Sequence, residues 1–134
     1  MSKCEISSID HIVMTVADMS KTIDFYRSVL GTTVVEFLPP TGGPARKSLH
    51  FGEQKINLHN AASPYIPHAK AAQAGSVDLC FISLQSIDDW QTHLADLGVS
   101  VELGPVRKTG ANGVLMSLYI RDPDGNLIEI SNYI

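Results

Sequence analysis

The sequence predicts an α+β fold of two tandem βαβββ modules within one domain covering residues 1–134. Two observations carry this. An internal repeat relates the two halves at an offset of 67 residues, so that Val13 meets Cys80, Ile23 meets Trp90, Leu30 meets Leu97, Gly31 meets Gly98 and Val34 meets Val101. Each half also opens on an alternating run rich in β-branched residues, continues as an amphipathic stretch of about three turns, and closes with three short strand-like runs.

Module one covers about residues 9–60. Residues 9–17 alternate as a strand should, and Ile23, Tyr26 and Leu30 form the apolar stripe of a helix over residues 20–30. Gly31 stands where a left-handed cap would end that helix. Strands follow at 33–38, 46–51 and 54–60. Module two, about residues 76–132, repeats the order with a strand at 76–84 and a helix on which Trp90, Leu94 and Leu97 form the stripe. Ser86 with Asp89 three residues later reads as its capping box, and Gly98 as its stop. Strands at 100–103, 114–120 and 126–131 complete the module, with Asp122-Pro123-Asp124-Gly125 as a hairpin turn. Residues 39–45, 61–75 and 104–113 read as long irregular loops, where substrate contacts are expected.

Composition narrows the function classes. With 134 residues, 44% of them hydrophobic, the chain can bury a core without disulfides. The formal charge of -4 is opposite to the basic footprint that phosphate neutralisation needs, so no nucleic-acid partner is expected. Cys4 and Cys80 read as reduced thiols, Cys80 as a small core residue. No apolar run approaches the roughly 20 residues that cross a bilayer, and MSKCEISS has no signal-like apolar stretch. The expectation is a soluble, cytoplasmic protein with no membrane partner.

The chemistry lies in polar residues that interrupt apolar strands. His11 begins the first strand, and its counterpart at the repeat offset is Asp78. In the last strand of each half, Asn57 and His59 alternate against Ile56 and Leu58, and Glu129 against Ile128 and Ile130, with His59 and Glu129 70 residues apart, three more than the repeat offset. Packing alone would supply Val or Leu at such places. Imidazole with carboxylate is instead the donor set of a divalent first-row ion. The expected site is therefore one metal, Zn, Ni, Co, Mn or Fe, held by His11, His59, Asp78 and Glu129. His50, His68 and His93 lack repeat partners and fall outside it, and neither Gly42-Gly43 nor residues 110–113 match a phosphate-binding loop.

HIVMTVADMSKTIDFYRSVLG, beginning at His11, and YIRDPDGNLIEI, around Glu129, resemble the opening and closing motifs of the vicinal oxygen chelate superfamily. Its members include lactoylglutathione lyase, fosfomycin-resistance thiol transferases, extradiol dioxygenases and methylmalonyl-CoA epimerase. The likeness covers about residues 9–132 and is greatest to small glyoxalase domain-containing and virulence-associated proteins. It implies paired modules forming a cupped mixed sheet around a metal, with ligands on the first and last strands of each module, and a homodimer in which the site lies either within one chain or across the interface, with His11 and His59 then opposite Asp78 and Glu129 of the partner. The chain departs from lactoylglutathione lyases at Asp78, where they carry His, at His59, where they carry Glu, and at Thr15 and Ser63, where they carry glutathione-holding Arg and Asn. Val13 stands where fosfomycin transferases have Thr.

The donor set suggests a lyase or isomerase of the glyoxalase kind, acting on a small oxygenated substrate or a thiol adduct of one. A divalent ion would chelate vicinal oxygens while a carboxylate shuttles a proton, with Glu129 the first candidate base and Asp78 the second. Arg46, Lys47, Arg107 and Lys108 lie in or beside loops, where they can meet an anionic group, and Tyr65 is a candidate lid residue. A ring-cleaving dioxygenase of the same fold and a non-catalytic drug-sequestering protein are the alternatives.

Overall fold

The computed structural model describes residues 4–134. Its elements run β1 (His11–Val16), α1 (Met19–Ser28), β2 (Thr33–Phe37), β3 (Arg46–Phe51), β4 (Gln54–Asn60), β5 (Asp78–Ile82), α2 (Ile87–Asp96), β6 (Leu103–Thr109), β7 (Val114–Arg121) and β8 (Leu127–Tyr133). They build two four-stranded sheets of identical plan, ordered β1-β4-β3-β2 and β5-β8-β7-β6. In each sheet the first and last strands of the module pair in parallel and the other pairs are antiparallel. The βαβββ duplication is thus realised element for element.

Local signals set the helix ends. Asp18 caps α1, its carboxylate accepting from the Lys21 N–H at 3.0 Å. Ser86 does the same for α2, accepting from the Asp89 N–H at 3.1 Å. The chain reverses after α1 at Gly31, φ 70°, which a residue with a Cβ rarely adopts.

One face of each sheet is apolar and joins a common core. Met14, Val16, Leu49, Ile56 and Leu58 from the first sheet meet Leu118, Ile120, Ile128 and Ile130 from the second, with Ile23, Tyr26 and Leu94 from the helices. A polar joint sits inside this core. The Tyr26 hydroxyl donates to Asp122 Oδ2 at 2.7 Å, so α1 of the first module is tied to the β7–β8 turn of the second. Asp122 also accepts from the Asp124 N–H and from both the backbone and side-chain amides of Asn126. Burial, reinforced by the Asp122 carboxylate, pushes the Tyr26 phenol far above its usual range, so it remains a donor.

Two expectations change. The strand expected at 100–103 lies instead at Leu103–Thr109, inside the stretch read as a loop. Gly104 and Pro105 read as breakers, but β6 is an edge strand with an irregularity between Leu103 and Val106, where a missing N–H and a glycine are tolerated. Gly104 has φ 118°, and a Cβ there would lie 2.4 Å from the Ser117 carbonyl oxygen. Gly104→Ala is therefore expected to destabilise the fold by about 3 kcal/mol, read as a lowered urea midpoint. Cys80 is the second change. It is exposed, on the face of β5 that turns away from the core, and is not a core residue.

Candidate metal and substrate site

The non-core faces of the two sheets carry the polar residues, and strand pairing arranges them in rows. On the first sheet, His11 lies beside Lys55, Val13 beside Asn57 and Thr15 beside His59. Lys55, Asn57 and Arg46's neighbour Ser48 continue these rows, with His50 opposite Lys55 and Ser48 opposite Asn57. On the second sheet, Asp78 lies beside Leu127, Cys80 beside Glu129 and Ile82 beside Ser131, with Tyr119 opposite Glu129 and Ser117 opposite Ser131.

Because Val13 and Cys80 are repeat partners, these rows give the true equivalences. Glu129 corresponds to Asn57, and His59 corresponds to Ser131. The 70-residue spacing instead matches Glu129 with His59, one row further along. Both Asn57 and His59 alternate against Ile56 and Leu58, so the sequence contains both options and only the register chooses. Asn57 is 6% exposed and its side-chain oxygen is buried without a hydrogen-bond partner. His59 is 2% exposed, and its Nε2 meets the guanidinium of Arg46.

Each remaining donor is prepared by its neighbours. The Nδ1 of His11 is bonded at 2.7 Å to Asp10 Oδ2, which leaves Nε2 free. That carboxylate–imidazole pairing is the usual support of a metal-bound histidine. The hydrogen bond and charge of His11 hold the Asp10 carboxyl below its ordinary range. On the second sheet, Glu129 Oε2 accepts from Ser117 Oγ at 2.6 Å and from Ser131 Oγ at 3.3 Å, which fixes the carboxylate while Oε1 has no such tether. Burial and the Glu129 carboxylate push the Tyr119 phenol up to about 12. Cys80, bonded to Ser131 Oγ at 3.4 Å, has its thiol pushed up by burial and by Glu129 and Asp78, so it is a poor nucleophile at neutral pH.

Asp10, Asn57, Ser117, Ser131 and Tyr119 all escaped the sequence reading. Only Asn57 carried a signal there, the match of Ile56-Asn57-Leu58 to Ile128-Glu129-Ile130.

The four expected ligands do not come together in one chain. Among the described residues no three His, Cys, Asp or Glu side chains form a group able to hold a metal ion. His11 and His59 stay on the first sheet, Asp78 and Glu129 on the second. Between the sheets, at the seam of β1 and β5, runs an open groove of about 430 Å³ lined by His11, Lys55, Cys80 and Ile82, and of the four expected ligands it reaches His11 alone.

The sequence of residues 8–130 matches the model of the Glyoxalase/Bleomycin resistance protein/Dioxygenase superfamily. The chain belongs to this superfamily. It is 52% identical over 128 residues to the glyoxalase domain-containing protein RDO1 of Mycosarcoma maydis, covering 96% of this chain and 69% of that one. The crystal structure of the virulence protein STM3117 from Salmonella typhimurium superposes with a TM-score of 0.91 at 50% identity, covering 98% of this chain and all of that one. A lactoylglutathione lyase from Agrobacterium tumefaciens superposes at 0.70 with 28% identity, covering 96% and 95%. The paired four-stranded sheets are accordingly the vicinal oxygen chelate fold of this superfamily, whose named members include metallothiol transferases and a methylmalonyl-CoA epimerase. Among the described residues, no helix is long and apolar enough to cross a membrane.

Proposed function

We propose that the protein is a metal-dependent lyase or isomerase that acts on a small oxygenated substrate at a site completed by a second copy of the chain. One observation carries this reading. At equivalent positions of two equivalent sheets, His11 and Asp78 each precede by one row a residue with an available oxygen, Asn57 and Glu129. Imidazole, amide oxygen and two carboxylates suit a divalent first-row ion, and the orphaned oxygen of Asn57 fits a ligand of that kind better than it fits an apolar core. His11, Asp78 and Glu129 would hold the ion, with Asn57 at the fourth position. His59, already engaged by a guanidinium, stands one row away.

The split of these donors between two sheets supports a homodimer. β1 and β5 are both edge strands and expose Val13 and Ile82, so each leaves backbone and apolar surface for a partner. Placing the first sheet of one copy against the second sheet of the other would gather the donors.

A bound divalent ion would supply Lewis-acid stabilisation of negative charge developing on vicinal substrate oxygens. The protein's own part is to hold and move a proton. Glu129 is fixed through Oε2 by Ser117 and Ser131, which leaves Oε1 to take a proton from the carbon next to a carbonyl and return it nearby. Asp78 is the second candidate for this base. The Tyr119 phenol, held protonated by its raised pKa, stands opposite Glu129.

Protein purified without added metal is expected to contain a stoichiometric divalent ion and to sediment as a dimer. Asp10→Asn, which removes the support of His11, should weaken metal binding by about 10- to 100-fold in a competition titration with a chelator. A metal-free monomer that takes up no ion would overturn this reading and favour a non-catalytic small-molecule binder. Turnover of the hemithioacetal of methylglyoxal and glutathione tests the lyase assignment. Because Thr15 and Ser63 occupy the glutathione-holding positions, low activity on that compound is expected, and a dihydroxy or oxo acid is the better class to try.

A further inference from the structure

We propose that Arg46 and His59 form a receptor for an anionic group of the substrate, a carboxylate, phosphate or phosphonate, next to the metal donors on the first sheet. The inference rests on the reading of this sheet face as part of the substrate site and adds a second point of attachment to it.

The argument starts from unpaired donors. Nη2 of Arg46 donates to Nε2 of His59, so the ring's hydrogen sits on Nδ1. That Nδ1 and the Nε of Arg46 are both buried without a hydrogen-bond partner. Buried N–H groups are rarely left so, and two on touching side chains call for an acceptor.

The surroundings hold the guanidinium without neutralising it. Arg46 lies 4.3 Å from the ring centre of Tyr65 and 5.6 Å from that of Phe37, contacts that fix its plane. The Tyr65 hydroxyl donates to the carbonyls of Pro44 and Ala45 at 3.1 and 3.3 Å, so the loop after β4 is pinned to the loop before β3 around this group. Among the described residues the ion pairs are His11 with Asp10 and Arg121 with Glu102, so Arg46 has no carboxylate partner. A planar, permanently charged fork with a free N–H suits an oxygen of an anion, and the His59 Nδ1–H, on the ring edge away from the guanidinium, offers a second donor.

The rows also set the reach of the substrate. His59 lies one row beyond Asn57 and two beyond His11, and a row is two residues, or about 7 Å, along a strand. The anionic group of the substrate would therefore sit about 7 Å from oxygens held beside Asn57. This selects a compound with several bonds between its vicinal oxygens and its anionic end.

The test uses inorganic phosphate as the probe and chelator-treated, metal-free protein, so that it does not depend on the metal. Isothermal titration of the unaltered protein is expected to show saturable binding. Arg46→Gln should weaken it by about tenfold or more, Arg46→Lys should retain an intermediate affinity, and Arg121→Gln, at the exposed ion pair, should leave it unchanged. If Arg46→Gln loses its folded circular dichroism, Arg46→Lys and Tyr65→Ala carry the comparison. Equal binding by all variants, no saturation by the unaltered protein, or an equal loss in Arg121→Gln would each overturn the proposal. A parallel Mn(II) titration keeps the two readings apart. Phosphate binding without Mn(II) binding would remove the metal and leave this receptor, whereas Mn(II) binding without phosphate binding would do the reverse.

Discussion

Glu129→Gln is expected to lower turnover by about 10²- to 10⁴-fold, the usual worth of a positioned general base, and to weaken divalent-ion binding as well. Gln is nearly the same shape and its amide oxygen can still accept from Ser117 and Ser131, so the second sheet should keep its geometry. What the substitution removes is the negative charge and the ability to take a proton. The measurements are metal affinity by competition titration, turnover on the compound that the unaltered protein converts best, and thermal midpoint as a control. A variant that binds the ion as tightly and turns over as fast as its parent would remove Glu129 from both roles. Asp78→Asn separates them further. If Asp78 serves only to hold the ion, its loss should be repaired in part by excess metal, whereas loss of the base should not.

The largest effect on stability is expected from Asp122→Ala, about 3–5 kcal/mol, with a fall in melting temperature of roughly 10 °C or more. Asp122 is 6% exposed and accepts from the Tyr26 hydroxyl, the Asp124 N–H and two donors of Asn126. Removing it strands these donors inside the core at the point where the two modules meet. Tyr26→Phe removes one donor together with its hydrogen bond and should cost less, about 1.5–3 kcal/mol. Urea unfolding monitored by both fluorescence and far-ultraviolet circular dichroism measures both. A cost below about 1 kcal/mol for Asp122→Ala would mean that the apolar contacts alone join the modules.

Much of this architecture is legible in the chain. The period of alternation separates the core faces, on which Met14, Val16, Ile56, Leu58, Ile128 and Ile130 are buried, from the faces that carry His11, Asp78 and Glu129. The boundaries at Arg46–Phe51 and Gln54–Asn60 coincide with those expected from hydrophobic pattern and turn residues. The misplaced sixth strand has a different origin. Gly104 and Pro105 are breakers on local grounds, and only the neighbouring β7 makes an edge strand of them, by offering a ladder that tolerates the irregularity. Cys80 was misplaced because a short apolar run does not say which of its two faces is covered. Asn57 and His59 share one face of β4, and the pattern of alternation does not say which of them lies level with Val13.

By itself, then, the sequence determined the duplication, the strands and helices, the capped and glycine-stopped helix ends and the chemical types of the donors. These depend on backbone sterics and on hydrogen bonds between residues close together in the chain. Only the tertiary structure decided which residue of β4 lies opposite Val13, that the guanidinium of Arg46 lies against His59, and that the histidines and carboxylates stand on separate sheets. The first of these depends on pairing between strands remote in sequence, where a shift of two residues keeps every side chain on its face and so leaves no trace in the pattern of polar and apolar residues, and the others depend on packing that this pattern does not encode.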